Sequence, residues 1–157
     1  MVAARRDLPT EVRDALAGDR DAKVVKSIAP HPGLSEAQLR AMVGRHGVRV
    51  IARVATNPDA PAALLEELAR HGPPVQKVFR GIARHRNANA RALVACLADR
   101  QARVIAAGHP ALPSPVIVGL LADDDWQVAH AAAANPSLPL AAMTELMRRV
   151  AMRERAA

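Results

Sequence analysis

Six histidines, one cysteine, a run of three aspartates and a concentration of Lys and Arg are the residues of this chain that could do chemistry. His31, His85 and His109 each stand one residue before a recurring anchor position, Pro32, Arg86 and Pro110, which invites a metal-site reading. Zinc needs its nitrogens at about 2.0–2.1 Å from one ion. Equivalent positions of stacked helical units stand roughly 8–10 Å apart, so such a column cannot converge on an ion. The same column holds Asn57 and Asn135. Asn and His share the capacity to hydrogen-bond loop backbone, so the column reads as structural. His46, His71 and His130 lie outside it and share no obvious site.

Cys96 stands where the other units carry Met42, Leu68, Leu120 and Leu146, so it reads as a small buried apolar group. A reactive thiol would need a basic, exposed setting. One cysteine makes no intramolecular disulfide and no cysteine-rich metal site. Asp123-Asp124-Asp125-Trp126 has the composition of an acidic catalytic patch beside an aromatic, but Asp125 falls at a helix-start position, where cap and dipole favour a carboxylate. Trp126 either covers the end of the core or stands out as an anchor for a partner. Phosphate-binding glycine loops, zinc spacings and Ser-His-Asp arrangements are not found. No catalytic, cofactor-binding or metal-ligating residue is assigned, and no cofactor is expected.

The basic residues carry the strongest signal. The formal charge is +7, and residues 40–103 hold 12 Lys/Arg against 4 Asp/Glu, a net +8, leaving the rest near neutral. Nine residues before the anchors stand Lys23, Arg49, Lys77, Gln101 and Gln127; six before stand Lys26, Ala52, Arg80, Val104 and His130. Arg45, Arg49 and Arg53 run i, i+4, i+8, with Arg84, Arg100 and Arg103 nearby. Stacking would align Lys23, Arg49 and Lys77 in a stripe. The plain reading is a solvated helix face. The functional reading is a site for an anionic partner, either an acidic protein or nucleic acid phosphate.

What must position these residues is a repeat. The anchors Pro32, Pro58, Arg86, Pro110 and Pro136 are spaced 26, 28, 24 and 26 residues apart. Three residues before each is Ala29, Ala55, Ala83, Ala107 and Ala133; four before is Ile28, Val54, Ile82, Ala106 and Ala132. Self-similarity at such a period marks a stacked-repeat architecture. Each unit has one apolar stretch before the anchor and one after, both with helical spacing. Asp21, Asp99 and Asp125 fall at expected N-caps, with Gly47 in that place in the second unit and Pro73-Pro74 ahead of the third. Ser35 with Gln38 has capping-box spacing. Core positions of the later stretches include Leu39, Leu65, Leu93, Ile117, Met143, Leu146 and Met147. The pattern extends back through Val2, Ala3, Arg5 and Arg6 to a half repeat over residues 1–20, with Val12 and Leu16 on its second helix. Residues 148–157 are expected to cap the last repeat with a polar face.

The columns spell Val-x-x-x-Val-Ala-x-Asn-Pro-x-Leu-Pro-x-x-x-Leu-x-x-Leu-Ala, clearest over residues 50–69 and 128–146. This motif resembles the leucine-rich repeat variant family and is similar in arrangement to HEAT and armadillo arrays. The resemblance covers nearly the whole chain and implies paired helices, the second often short or 3-10, stacked in a right-handed superhelix. The founding type carries an N-terminal cysteine cluster holding an iron–sulfur centre; residues 1–40 here contain no Cys.

The expectation is an all-α, right-handed α-solenoid of about five to six two-helix repeats, forming one domain over residues 1–157. The function expected is a non-enzymatic scaffold that binds a protein partner. The alternative is phosphate contact by Lys23, Arg49, Lys77, Arg80 and Arg84, although the aromatics that stack single-stranded bases are absent. An enzyme resembling HEAT-like alkylpurine DNA glycosylases would use Trp126 and one of Asp123 to Asp125, but needs an aromatic pocket that one Trp cannot supply. The charged start lacks a signal-peptide stretch, and no apolar run approaches the roughly 18 residues of a membrane span, so a cytoplasmic protein is expected.

Overall fold

The computed structural model describes residues 8–72 and 74–156; Val2, Ala3, Arg5, Arg6 and Pro73 lie outside them. Eleven α-helices occur in the order α1 Thr10–Ala17, α2 Ala22–Ile28, α3 Glu36–His46, α4 Ile51–Val54, α5 Ala62–Ala69, α6 Gln76–Ala83, α7 Ala90–Cys96, α8 Arg100–Ala107, α9 Ser114–Leu120, α10 Trp126–Ala133 and α11 Leu140–Ala156. A 3-10 turn, Gly47–Arg49, precedes α4. The fold is all-α, with no strand among the described residues.

The helices alternate between two rows. In the first row α4 packs on α6, α6 on α8 and α8 on α10; in the second, α5 packs on α7. Aliphatic columns fill the space between the rows. Ile28, Val54, Ile82, Ala106 and Ala132 are all fully buried, as are Leu39, Leu65, Leu93 and Ile117. Small residues let the first-row helices approach closely. At Gly81 a Cβ would stand 3.3 Å from Thr56 Cγ2 and 3.5 Å from the Ala55 carbonyl, so α6 lies almost on α4 there.

Local chemistry starts the helices. Asp21 accepts from Lys23 N–H, Asp99 from Gln101 and Ala102 N–H, and Asp125 from Gln127 N–H. Ser35 and Gln38 form the reciprocal capping box, and Asn89 accepts from Ala92 N–H. Pro61 and Pro113 take the N-cap position itself.

Gly47 departs from expectation. It does not cap the start of an α-helix; it terminates α3 and opens the 3-10 turn with φ +52°, a conformation that L side chains rarely adopt. The chain then passes through the 3-10 turn into a four-residue α4. Met143 and Met147 also depart: they are 44% and 68% exposed rather than in the core. Residues 148–156 continue α11.

Buried side chains in the loops tie one unit to the next. Asn57 Nδ2 donates to the carbonyls of Ala29 (2.6 Å) and His31 (2.7 Å), and Asn57 Oδ1 accepts from Asp59 N–H. His85 Nδ1 accepts from Asn87 N–H at 3.1 Å, which leaves the Nε2 proton to donate to the Asn57 carbonyl at 2.6 Å. His109 repeats this, with Nδ1 accepting from Ala111 N–H and Nε2 donating to the His85 carbonyl at 3.2 Å. Asn135 closes the series on the carbonyls of Ala107 (2.7 Å) and His109 (3.0 Å). Asn57, His85, His109 and Asn135 thus each donate to the backbone of the member before it. Both ring nitrogens of His85 and His109 are thereby used.

Arg86, in place of proline, leaves this loop unchanged, because His85 and Ala88 make the same turn bonds as Asn57 and Ala60. Asn57→Leu keeps the volume but strips donors from two carbonyls of the preceding loop, and should cost about 3 kcal/mol. His85→Asn keeps a donor in the column and should cost about 1 kcal/mol. Urea denaturation of the two variants measures the difference, and equal losses would show that the hydrogen bonds do not matter.

Candidate functional site: a basic groove on the first row of helices

The two rows handle charge differently. Second-row cations, Arg45 apart, are paired with acids close by. Arg40 bonds Glu36 (2.8 Å) and Glu67 (2.5 Å), Arg70 pairs with Glu66, and Arg148 and Arg149 both reach Glu145. The carboxyls register this. The Asn89 amide, then Arg70 and Arg91, hold Glu66 below the usual carboxylate range, and Arg40 does the same for Glu67.

In the first row, α2 carries Lys23 and Lys26, the turn and α4 carry Arg49 and Arg53, α6 carries Lys77 and Arg80, and α8 carries Arg100 and Arg103. None of these helices contains Asp or Glu; the acids of this row are N-caps that precede them. Among the described residues, only Arg103 of these cations is ion-paired, and Arg84, just after α6, is likewise without an ion pair.

Clefts between successive first-row helices collect these side chains. Between α4 and α6 a cleft of about 430 Å³ is lined by Thr56, Lys77, Arg80, Gly81, Arg84 and His85. It shares Arg80 and Arg84 with a cleft of about 700 Å³ that reaches across α8 to Trp126 and His130, with Val104, Ile105 and Ala131 as its apolar wall. Trp126 is 72% exposed, at the first position of α10. Its ring centroid lies 6.4 Å from that of His130, tilted by 56°. Lys77, Arg80, Arg84, Arg100 and Trp126 therefore border one groove.

The other candidates are placed elsewhere. Lys23, Lys26, Arg49 and Arg53 are exposed on the earlier first-row elements and do not line these clefts. Arg45 belongs to the second row, where Nη1 donates to the Gly18 carbonyl at 2.7 Å and closes the end of α1. The i, i+4, i+8 run through Arg45, Arg49 and Arg53 forms no single face, because the turn at Gly47 breaks the helix. Arg103 is bound to Asp123, a carboxylate 7% exposed.

A third cleft, about 950 Å³, contains Asp123, Asp124 and Asp125 beside Trp126. Two of the three carboxylates are committed to the fold: Asp123 holds Arg103 and accepts from Asp125 N–H, and Asp125 caps α10. Cys96 is fully buried, with its thiol directed at the Phe79 carbonyl (3.4 Å). Burial, then the Asp99 carboxylate, push that thiol up to about 12. Among the described residues no group of three or more His, Cys, Asp or Glu is arranged to hold a metal, and no helix is long and apolar enough to cross a membrane. Sequence reasoning missed His130 as a groove residue, although its i, i+4 spacing from Trp126 was the available signal. Scans against family models, curated proteins and solved structures return no match for this chain.

Asp123→Ala leaves Arg103 half-buried and unpaired, and should cost about 1–3 kcal/mol in urea denaturation. Full stability in this variant would return Arg103 to the binding set. Native Cys96 should ignore a thiol reagent at mildly alkaline pH and react once the chain unfolds. A thiol pKa raised in the fold binds its proton more tightly in the native state, so stability falls as pH rises from about 8.5 toward 12. A Cys96→Ala variant should lack that component of the alkaline loss.

Proposed function

We propose that this chain is a non-enzymatic repeat scaffold that binds an acidic segment of a protein partner along the groove from Lys77 to Trp126. The architecture proposed is a right-handed α-solenoid of about five to six two-helix repeats of the leucine-rich repeat variant type. The columns buried between the rows and the side-chain bonds from loop to loop support it. One observation carries the functional reading: cations on the second-row helices, Arg45 apart, are neutralised by neighbouring acids, whereas those bordering the groove have no ion-pair partner among the described residues. An unpaired cluster of one sign steers and holds the opposite sign.

The choice of a protein rests on the groove's second component. Val104, Ile105 and Ala131 wall the cleft beside Trp126, which suits one apolar side chain in an otherwise acidic peptide. A nucleic acid strand would call for several stacking rings, and the chain has one Trp, one Phe and no Tyr.

The same composition makes Trp126 a built-in fluorophore. A glutamate-rich peptide containing one leucine, titrated at low and then physiological salt, should change its emission. Charge reversal at Lys77, Arg80 and Arg84 to Glu should weaken binding about tenfold or more, while Arg70→Glu on the second row should leave it unchanged. Duplex DNA or RNA binding with a steep salt dependence, and no response to the peptide, would replace the protein reading with the phosphate one. No binding of either at low salt would remove the groove as an anion site.

A further inference from the structure

α11 presents an apolar side that no described residue covers. Met143 occupies the column of Leu39, Leu65, Leu93 and Ile117, each fully buried, yet it is 44% exposed. Ala133 is exposed where Ala29, Ala55, Ala83 and Ala107 are buried. In the earlier units these columns lie under the unit that follows; at α10 and α11 no described residue takes that place. The open side then continues along the helix, with Leu140 77%, Met147 68% and Val150 54% exposed. Leu140, Met143, Met147 and Val150 are spaced three, four, three, the pattern of a helix that packs lengthwise against another. α11 is 17 residues long, whereas α9 and α10 have 7 and 8. Another unit of such short helices would cover only its first turns.

We propose that this stripe docks on α11 of a second copy of the chain, antiparallel, in a tail-to-tail pair. It continues an internal packing surface, and its length is matched by no other described helix of the chain. A two-fold axis beside Glu145 sets Leu140 against Val150 of the second copy and Met143 against Met147 of the second copy. Such an interface is self-complementary and closes at two chains. Thr144, Leu146 and Ala151 flank the stripe, so its borders carry no like charges along this stretch. The nearest cations, Arg148 and Arg149, are turned to Glu145 on the same helix at 2.7 and 3.0 Å. About three turns of contact on each side make a pair that depends on concentration.

Sedimentation equilibrium of the full chain, from micromolar to near-millimolar concentration, should show the mass rising from one chain to two and stopping there. Met147→Glu alters an exposed side chain, so circular dichroism should be unchanged while association weakens about tenfold or more. A Met143→Cys, Met147→Cys variant should oxidise to a dimer linked between position 143 of one copy and 147 of the other. The parent chain, with Cys96 buried, should not form that link. A single-chain mass throughout, association indifferent to Met147→Glu, or open-ended growth through contacts between α11 and α1 or α2 would each overturn the proposal.

Discussion

Loop carbonyls fall due at every crossing between the rows, and this structure satisfies them from the neighbouring unit. Asn57, His85, His109 and Asn135 each donate to a carbonyl roughly one repeat earlier in the chain. A buried carbonyl has two acceptor positions, and these bonds fill the one the loop's own N–H leaves open, so they fix the spacing and register of successive loops. The helices flanking each loop inherit that register. The aliphatic columns then meet their counterparts, and the row that carries Lys77, Arg80 and Trp126 is aligned as a consequence. Outer contacts reinforce the alignment: Asp59 accepts from Gly33 N–H, Asn87 donates to the Pro58 and Ala60 carbonyls, and Ser137 to the Pro110 carbonyl.

The distribution of charge follows from which row a helix belongs to. Second-row helices place acids and bases within an i, i+4 reach or opposite one another, as in Glu36–Arg40–Glu67. First-row helices spend their acids on caps, where the carboxylates are occupied by backbone N–H groups. The cations behind those caps are left to solvent or to a ligand. Arg103 is the exception because Asp123, in the turn between α9 and α10, reaches it. The close approach at Gly81 keeps the groove floor low between Lys77, Arg80 and Thr56.

Interactions within a few residues were legible in the sequence. The caps at Asp21, Asp99 and Asp125 and the box at Ser35 and Gln38 act over two or three residues, so spacing alone revealed them. The polar column was legible as a loop-bonding set because its alternation of Asn with His leaves hydrogen bonding as the shared property. The target of those bonds was not, since it lies in another unit. The pairing of Arg103 with Asp123, the use of Arg45 on Gly18 and the exposure of Met143 also depend on what sits across a gap in sequence. Gly47 misled for a different reason. A glycine between two apolar stretches can start a helix or end one, and its positive φ is visible only in three dimensions. The groove was half legible: its cations were on one list with Arg45 and Arg103, and nothing local separates the members that face solvent from those that serve the fold.

Within the Asn/His column the loop-to-loop bonds point the same way along the chain. Each of the loops at Asn57, His85 and His109 gives its carbonyl one backbone donor of its own, from Ala60, Ala88 and Leu112, and the unit made after it supplies the second. During synthesis from the N-terminus, each loop can therefore close its own turn first, and it gains its side-chain partner when the next Asn or His arrives. The newest unit at any moment is always the least finished, and order accumulates behind it, in the direction of translation.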